Sequence, residues 1–336
     1  MKLLVTGGSG FIGSRLALQA RAQGLHVVVT GQANTDAERL RIEELRRAGV
    51  SLESGALQDV AFARRIVAGC DRVIHLAAAQ HEANVPDAYF EEVNVGGTRA
   101  LVQASCDAGV RRFVYGSTIG IYGSAAEGSL DEDSPPRPDN VYGRTKLAAE
   151  SVVRERAGAI ETCIVRISET YGPGDFRLLK LFRAIDKGAF ILIGDGLNRR
   201  QVMHVSDLVN GLLLASRHAS AMGQTFVMPG SEVMTTREMV AAIAAALGRP
   251  TPRLRMPLWP FMAAAAALEA TFRPLGIQPP LHRRRLDFFR KSFVFSTRKA
   301  ETLLGFVPSI PFAQGARETA DWYRDRGHLS SARRAG

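Results

Sequence analysis

The chain has 336 residues, of which 46% are apolar and 23% charged, a composition ordinary for a soluble globular protein with a main domain and a smaller partner domain. The formal charge of +10 fits an arginine-rich composition or attraction to a phosphorylated ligand or an anionic surface, but scattered basic residues without a nucleic-acid motif argue against nucleic acid as a partner. Three widely spaced cysteines, Cys70, Cys106 and Cys163, form neither a metal pattern nor a disulfide framework, which favours a reducing, cytoplasmic compartment.

Short apolar runs alternate with longer stretches of helical spacing through the first half of the chain. The apolar runs are residues 3–5, 27–29, 73–74, 113–115 and 163–165, and the helical stretches are residues 11–22, 36–48, 91–108 and 142–156. Continuous apolar strands separated by helices are typical of a parallel sheet covered on both faces. The pattern therefore predicts an α/β fold with a doubly wound parallel sheet of the Rossmann type.

The pattern becomes irregular after residue 167, where turn-forming glycines and prolines interrupt it. We predict a dinucleotide-binding domain over residues 1–167, to which residues 204–228 return. A smaller, mainly substrate-binding α/β domain should cover residues 168–328, followed by a flexible tail over residues 329–336. Residues 124–140, rich in glycine, proline and aspartate, should form a long loop of the kind that often carries function.

The longest apolar stretch, residues 257–268, is too short to cross a bilayer. Its composition favours an ordinary buried helix. The alternatives are a wall of an apolar substrate pocket or a contact with a membrane surface. The sequence as a whole favours a protein without a membrane partner.

A glycine-rich turn joins the first strand to the first helix. A G-x-G-x-x-G spacing starts at Gly8, and a G-x-x-G-x-x-G spacing starts at Gly7. With either spacing the backbone can approach a pyrophosphate, and the N–H groups that open the helix can hold it, so we expect a bound dinucleotide. The residues expected to contact the cofactor here are Gly7, Gly10, Phe11, Ile12 and Gly13.

The choice between NAD and NADP stays open at this point. The second strand ends at residues 29–32 without the acid that would bind the adenosine ribose hydroxyls, which removes an objection to NADP. Arg39 and Arg41 are possible partners for a 2′-phosphate. Their spacing also fits a solvated helix face, which is the more usual explanation for such arginines.

A tyrosine and a lysine stand one helical turn apart after the long loop. Tyr142 and Lys146 should share one helix face, so the ammonium can lie near the phenol. Together with a positive nicotinamide ring, it could lower the phenol pKa by the roughly three units that a base near pH 7 requires. Ser117 and Thr118 follow an apolar strand, where a hydroxyl can hydrogen-bond the substrate oxygen.

As a set, the motifs resemble the extended short-chain dehydrogenases, the NAD-dependent epimerase/dehydratase family, from Lys2 to about Tyr323. The stretches that carry the resemblance are residues 6–13, 75–78, 93–98, 117–123, 142–146, 171–174 and 200–207.

The resemblance implies a role for each matching residue. Thr118 and Tyr142 would act in catalysis, with Lys146 holding the nicotinamide ribose and lowering the tyrosine pKa. Ala77 and Ala78 would line the cofactor path. Arg200 matches the arginine that holds the diphosphate in nucleotide-sugar members. The family commonly pairs through two helices, so we expect a homodimer built from residues 91–108 and 142–156.

Several positions depart from the family pattern. Dehydratases of the family carry an acidic pair directly after the threonine, where this chain has Ile119 and Gly120, so elimination of water is disfavoured. Where family members usually have a Gly-Asp pair that contacts the adenine, this chain has Gly55 and Ala56, so the aspartate is missing. In addition, residues 256–261, Glu269 and residues 279–283 and 304–308 resemble the 3β-hydroxysteroid dehydrogenase and dihydroflavonol reductase branch.

Three hypotheses about function follow. The leading one is a 4-epimerase of a nucleotide sugar, most simply a UDP-sugar, for which NAD is the favoured cofactor and the substrate bears a diphosphate. The second is a net dehydrogenase or reductase of a sterol-like or other apolar alcohol. The third is a catalytically silent dinucleotide-binding sensor or scaffold, which would not need Thr118, Tyr142 and Lys146 together.

Overall fold

The computed structural model describes residues 1–80, 85–123, 128–272 and 283–330. In this part of the chain, seven parallel strands form one sheet, which confirms the predicted α/β fold. The strands are β1 Lys2–Thr6, β2 His26–Thr30, β3 Ser51–Glu53, β4 Arg72–His75, β5 Arg112–Thr118, β6 Glu161–Ile167 and β7 Thr225–Met228. Their spatial order is β3-β2-β1-β4-β5-β6-β7, so the chain starts near the middle and winds outward in both directions.

Helices alternate with these strands and dominate the last third of the chain. They are α1 Phe11–Ala22, α2 Asp36–Arg47, α3 Val60–Val67, α4 Asp87–Phe90, α5 Gly97–Asp107, α6 Val141–Arg154, α7 Leu179–Asp186, α8 Val205–Arg217, α9 Thr236–Leu247, α10 Leu258–Phe272, α11 Arg283–Arg290, α12 Arg298–Leu304 and α13 Phe312–Asp325. A π-helical segment, Glu91–Gly96, joins α4 to α5, and short 3₁₀ turns occupy Ile119–Tyr122 and Ala219–Ala221.

Four pairs of two-residue strands lie outside the main sheet. Three pairs are parallel and one is antiparallel. They are Thr170–Tyr171 with Met203–His204, Leu192–Ile193 with Arg255–Met256, Ser129–Leu130 with Val294–Phe295, and, antiparallel, Arg199–Arg200 with Met234–Thr235.

The sheet carries an apolar layer on each face because its strands are apolar on both sides. Leu3 and Val5 of β1 pack with residues of α1 and α8, whereas Leu4 between them packs with residues of α3 and α5. All three side chains are fully buried. This arrangement explains why the strands appear in the sequence as continuous apolar runs.

A separate core holds the C-terminal part together. Phe182 of α7, Ile243 of α9 and Ala320 of α13 belong to it. The helix α8 and the strand β7 are instead packed into the main sheet, with β7 paired to β6. The chain therefore leaves the sheet after β6, builds part of the second core, and returns to add the last strand.

The helix α10 corrects the expectation for the apolar stretch. Residues 257–268 fall largely in a helix, but of the fifteen residues of α10 only Ala265 and Glu269 are buried. Trp259 is 73% exposed. The expectation of an ordinary buried helix therefore holds for one side only: Leu258, Phe261, Met262, Leu268 and Phe272 are half-buried on the side of Ala265 and Glu269, and the other side is exposed. Within the described ranges, no helix is long and apolar enough to cross a membrane.

Some sequence-based expectations fall on residues that the structure does not describe. Residues 124–127 of the expected loop, residues 279–282 of the C-terminal similarity and residues 331–336 of the expected tail lie outside the described residues.

Candidate active site

The glycine-rich turn approaches the end of β4 closely. Gly7 has a φ of +71°, and a Cβ on it would lie 2.8 Å from the Ala77 nitrogen. A Cβ on Gly13 would lie only 2.2 Å from the Gly7 oxygen. Gly8 packs on the sheet, since a Cβ there would meet the Val29 Cβ at 2.4 Å. The spacing that shapes this turn is therefore the one through Gly7, Gly10 and Gly13.

A cavity of about 630 Å³ opens above this turn, across the carboxyl ends of the central strands. Gly10 precedes α1 and offers no side chain to cap it. The N–H groups of the first helical turn have no partner within the helix and are available to an anion. All nine residues expected to contact the cofactor line this cavity: Gly7, Gly10, Phe11, Ile12, Gly13, Ala77, Ala78, Tyr142 and Lys146.

These features fit a dinucleotide. The turn has room for a ligand only because its glycines carry no Cβ, and the start of α1 has backbone N–H donors that no side chain caps. The cavity extends from the end of β2 to the end of β5. Gly31 and Gln32 line it after β2, and Gly55 and Ala56 line it after β3. The pyrophosphate would lie on α1, and the adenosine would lie toward β2 and β3.

Sequence reasoning missed an acid at the adenosine end of the cavity. Glu38 lines the cavity although it stands on α2 rather than at the end of β2. Arg41 is buried and donates to the backbone oxygens of Ser9 and Gly174. Arg39 is exposed and forms an ion pair with Asp36. Neither arginine lines the cavity, so the phosphate-binding roles considered for them have no support in the geometry.

Thr118 and Tyr142 lie together at the other end of the cavity. Thr118 ends β5, and its hydroxyl accepts a hydrogen bond from the Gly120 nitrogen at 3.0 Å. Tyr142 lies in the first turn of α6, whose start is capped by Asn140 through the Gly143 nitrogen at 3.0 Å. Burial raises the pKa of Tyr142 to about 12, while hydrogen bonding to Thr118 and the charge of Arg177 oppose the rise.

Lys146 lies one turn further along α6 with its side chain almost fully buried. Its Nζ atom lies 4.2 Å from the centre of the Tyr115 ring. Burial lowers the pKa of Lys146 to about 7, and the Glu150 carboxylate works in the opposite direction. Among the protein's own groups, Thr118 and Arg177 lower the tyrosine pKa and burial outweighs them. The protein alone thus raises the phenol pKa, whereas the lowering predicted from the spacing of Tyr142 and Lys146 also depends on the nicotinamide ring.

Ser117 is held by a buried ionic cluster. Its hydroxyl donates to a Glu150 carboxylate oxygen at 2.5 Å, and Arg166 donates to the same carboxylate at 3.0 and 3.1 Å. Arg166 also donates to the Tyr122 hydroxyl at 2.8 Å. Ser117 lines the cavity, but its hydroxyl hydrogen is engaged by Glu150. Of the two adjacent hydroxyls, the one on Thr118 is therefore the better placed to meet a substrate.

Asn94, in the π-helical segment, ties the cofactor loop to α6. Its amide oxygen accepts from the Ala79 nitrogen at 2.7 Å, and its amide nitrogen donates to the Ala79 oxygen at 3.0 Å and to the Thr145 hydroxyl at 2.9 Å. The segment carrying Ala77 and Ala78 is thereby fixed against the helix that carries Tyr142. Asn94 belonged to a recognised motif stretch, but nothing in the sequence indicated this bridging position.

A second cavity, of about 800 Å³, adjoins the first at Gln80, Thr118 and Tyr142. Arg200 lines it, is 4% exposed, and donates to Glu169 at 2.8 Å. The guanidinium carbon lies 4.1 Å from the centre of the Phe288 ring. The two cavities therefore place Arg200 on the opposite side of Tyr142 from the glycine turn.

The chain matches the family described as "NAD dependent epimerase/dehydratase family" over residues 3–228. It is 30% identical to a dTDP-glucose 4,6-dehydratase of Streptomyces niveus, over 97% of this chain and 93% of that protein. It is 28% identical to the 3beta-hydroxysteroid-dehydrogenase/decarboxylase isoform 1 of Arabidopsis thaliana, over 95% and 78% respectively. The chain belongs to the NAD dependent epimerase/dehydratase family and is an enzyme of that family, as the motifs predicted.

The fold is similar to that of solved members. The crystal structure of DesIV, a dTDP-glucose 4,6-dehydratase from Streptomyces venezuelae with NAD bound, superimposes with a TM-score of 0.77 at 28% identity. The match covers 98% of this chain and 99% of that chain. The α/β architecture with a smaller C-terminal part is therefore shared over almost the full length.

Proposed function

We propose that the chain is an NAD-dependent 4-epimerase of a nucleotide sugar, with a UDP-sugar as the simplest substrate. The observation that carries this proposal is the meeting of two cavities at Thr118 and Tyr142. One cavity presents the glycine turn and an uncapped helix start, and the other presents the buried guanidinium of Arg200. A sugar placed between them has its diphosphate near Arg200 and its reacting carbon beside Tyr142.

The chain's own residues then supply positioning and proton transfer. Tyr142 removes the proton from the sugar 4-hydroxyl and later returns it, while Thr118 hydrogen-bonds the same oxygen. Lys146 binds the nicotinamide ribose, and its charge favours the ionised phenol. Bound NAD supplies the acceptor and donor for hydride at the same carbon. Epimerisation requires the keto sugar to turn over within the second cavity, so that hydride would return to the opposite face of the same carbon when the proton returns to its oxygen.

The two residues that follow Thr118 in the lining of the second cavity disfavour dehydration. Ile119 and Gly120 line the second cavity where the family's dehydratases carry an acidic pair. Neither residue can donate or accept a proton, so removal of water from the sugar lacks its acid and its base at this place. The proposal is therefore 4-epimerisation, although dehydratases are among the similar proteins.

The adenosine end supports NAD over NADP. A carboxylate at Glu38 would repel a 2′-phosphate, and Arg39 and Arg41 point to other partners. Glu38 also closes a capping box with Thr35, so a control for helix stability is needed. The chain offers one in α9, where Glu238 closes the same capping box outside both cavities.

We expect Glu38→Gln to weaken the preference for NADH over NADPH by about tenfold, because one repulsive charge is removed. Glu238→Gln should reduce helix stability to a similar extent and leave the preference unchanged. Fluorescence titration with both cofactors measures the ratio. A wild-type protein that prefers NADPH would contradict the assignment of NAD.

Binding of UDP tests the substrate class. We expect calorimetry to detect UDP binding that weakens with added salt, and Arg200→Ala to weaken it by about tenfold to a hundredfold through loss of a charge-assisted contact. Arg199→Ala is the matched control, because Arg199 is exposed on the same short strand and lies outside both cavities. Equal losses for the two variants would contradict a specific contact at Arg200.

A second candidate function is net oxidation of an apolar secondary alcohol. The similarity to the Arabidopsis 3beta-hydroxysteroid-dehydrogenase/decarboxylase favours it, and Ile119, Phe288 and Phe293 contribute apolar surface to the second cavity. Turnover of such an alcohol, with no detectable UDP binding by the wild-type protein, would favour this candidate over the epimerase.

A further inference from the structure

The C-terminal part exposes several apolar side chains that are close together along the chain. We define the α10 face as Leu254, Met256, Trp259 and the exposed alanines of α10. Leu254 is 61% exposed, Met256 is 40% exposed and Trp259 is 73% exposed. Single exposed apolar residues are normal on a protein surface, but contiguous apolar patches are typical of surfaces that bind another protein, a ligand or a membrane.

The helix itself is apolar almost all round. Of the fifteen residues of α10, only Glu269 and Thr271 are polar. The two buried residues, Ala265 and Glu269, are four positions apart and therefore form one stripe that faces the protein. Ala263, Ala264, Ala266 and Ala267 are exposed. Leu258, Phe261, Met262, Leu268 and Phe272 lie on the same side as this stripe and are half-buried, so the outward side of the helix consists mainly of alanines together with Trp259.

Positive charge flanks this apolar surface. Arg253 and Arg255 are exposed, and within the described residues neither forms an ion pair. The whole chain carries a formal charge of +10. Exposed apolar side chains with a tryptophan and flanking arginines are the combination by which helices bind in the plane of an anionic membrane surface.

We propose that the α10 face docks on the surface of an anionic lipid bilayer, with α10 lying in the plane of the headgroups. Charge favours this occupant over a second copy of the chain, because a symmetric contact would bring the arginines of two positively charged molecules together. Glu269 lines the second cavity, so docking places that cavity one helix away from the bilayer. The proposal revises the expectation of no membrane partner and does not depend on the proposed function.

Vesicle binding by the full chain is the test. We expect co-sedimentation with vesicles of phosphatidylcholine and phosphatidylglycerol in equal parts, little co-sedimentation with phosphatidylcholine alone, and release by salt. The chain has two tryptophans, so Trp322→Phe leaves Trp259 as the sole indole. Its emission should shift to the blue on mixing with the anionic vesicles.

Two double variants address the two components of the face. Leu254→Ser with Trp259→Ser, and Arg253→Glu with Arg255→Glu, should each weaken vesicle binding by at least about tenfold. Met222→Ser with Val307→Ser removes apolar residues of similar exposure elsewhere, and Arg46→Glu with Arg217→Glu makes the same charge change elsewhere. These controls should bind anionic vesicles as the wild type does.

Three outcomes would overturn the proposal. They are absence of binding to the anionic vesicles, equal loss of binding in the control variants, and a change from dimer to monomer in the α10-face variants with vesicle binding unaffected. The measurement is sedimentation with lipid and does not involve catalysis. Absence of vesicle binding would therefore not bear on the proposed epimerase function, and absence of epimerase activity would not bear on vesicle binding.

Discussion

The phenol of Tyr142 is not made acidic by its protein surroundings. Burial raises its pKa to about 12, and Thr118 and Arg177 recover only part of the difference. Deprotonation near pH 7 therefore requires further positive charge close to the phenol, which the proposed function obtains from Lys146 and from the bound cofactor. The helical spacing predicted which residues would be neighbours, but the size of the burial effect depends on tertiary packing.

The first prediction concerns this residue. Tyr142→Phe should leave cofactor binding nearly intact and lower turnover by at least about a hundredfold, because it removes the acid/base while preserving the ring. Cofactor titration and steady-state rates on the identified substrate measure the two effects. A Phe variant with near-normal turnover would remove Tyr142 from the mechanism.

His75 is fixed as a neutral ring by its partners. Thr6 Oγ1 already accepts from the nitrogens of Leu76 and Ala77, so it donates to His75 Nδ1 at 2.6 Å. Thr98 Oγ1 donates to the Asn94 oxygen and accepts from His75 Nε2 at 3.0 Å. Burial, aided by the charge of Lys146, lowers the pKa of His75 to about 3.

A pH-dependent loss of stability follows. The pKa of this ring is about 6.5 in the unfolded chain and about 3 in the folded one, so below pH 6.5 the unfolded state binds one more proton. The contribution is intact above pH 6.5 and falls by about 1.4 kcal/mol per pH unit toward pH 3. Urea unfolding at several pH values, compared between wild type and His75→Gln, isolates this slope. An identical slope in both proteins would contradict it.

The residues that sequence reasoning missed have a common physical reason. Glu38 stands six positions beyond Gln32, and only the turn between β2 and α2 brings it back to the cavity. Ser117 and Thr118 are the last two residues of the same strand, β5, and the partner that distinguishes them, Glu150, is contributed by α6. Local patterns predict elements well, whereas these contacts depend on how distant elements meet.

At the scale of elements, the first half of the chain was more predictable than the second. The strands of the main sheet are apolar on both sides and bounded by turn residues, so β1, β5 and β6 were evident as runs. The short strands of the C-terminal part contain two residues each and have no periodicity to detect. The helix α10 was found as a helix, but its apolar composition predicted burial all round, whereas the packing covers only one side of it.

The turn between β1 and α1 allows a matched pair of glycine substitutions. Gly13→Ala should weaken NAD binding strongly, because its Cβ would lie 2.2 Å from the Gly7 oxygen and the turn must open. Gly96→Ala places a Cβ no closer than 4.0 Å to its nearest neighbour, in a helical segment. That control should be neutral or slightly stabilising, by up to about 1 kcal/mol. Cofactor titration and thermal unfolding give both values, and unchanged NAD affinity in Gly13→Ala would contradict the steric argument.

For the whole molecule we predict a homodimer built from the helical stretches over residues 91–108 and 142–156. The resemblance to the family motivates this prediction, and two-fold symmetric dimers are the commonest oligomers. Analytical ultracentrifugation at micromolar concentration measures the mass directly. A monomer under those conditions would contradict the prediction, and the α10-face variants show whether that surface contributes to any dimer found.

The late return of β7 to the sheet has a consequence for how the protein is made. As the chain emerges from the ribosome, β6 is complete long before residues 225–228 exist, so one of its edges stays open during synthesis. Open strand edges and the uncovered apolar face beneath α8 are sites of aggregation. A gene shortened at residue 167 would make that state permanent. The nucleotide-binding part should therefore be soluble only when it is expressed from a gene fragment that extends past β7.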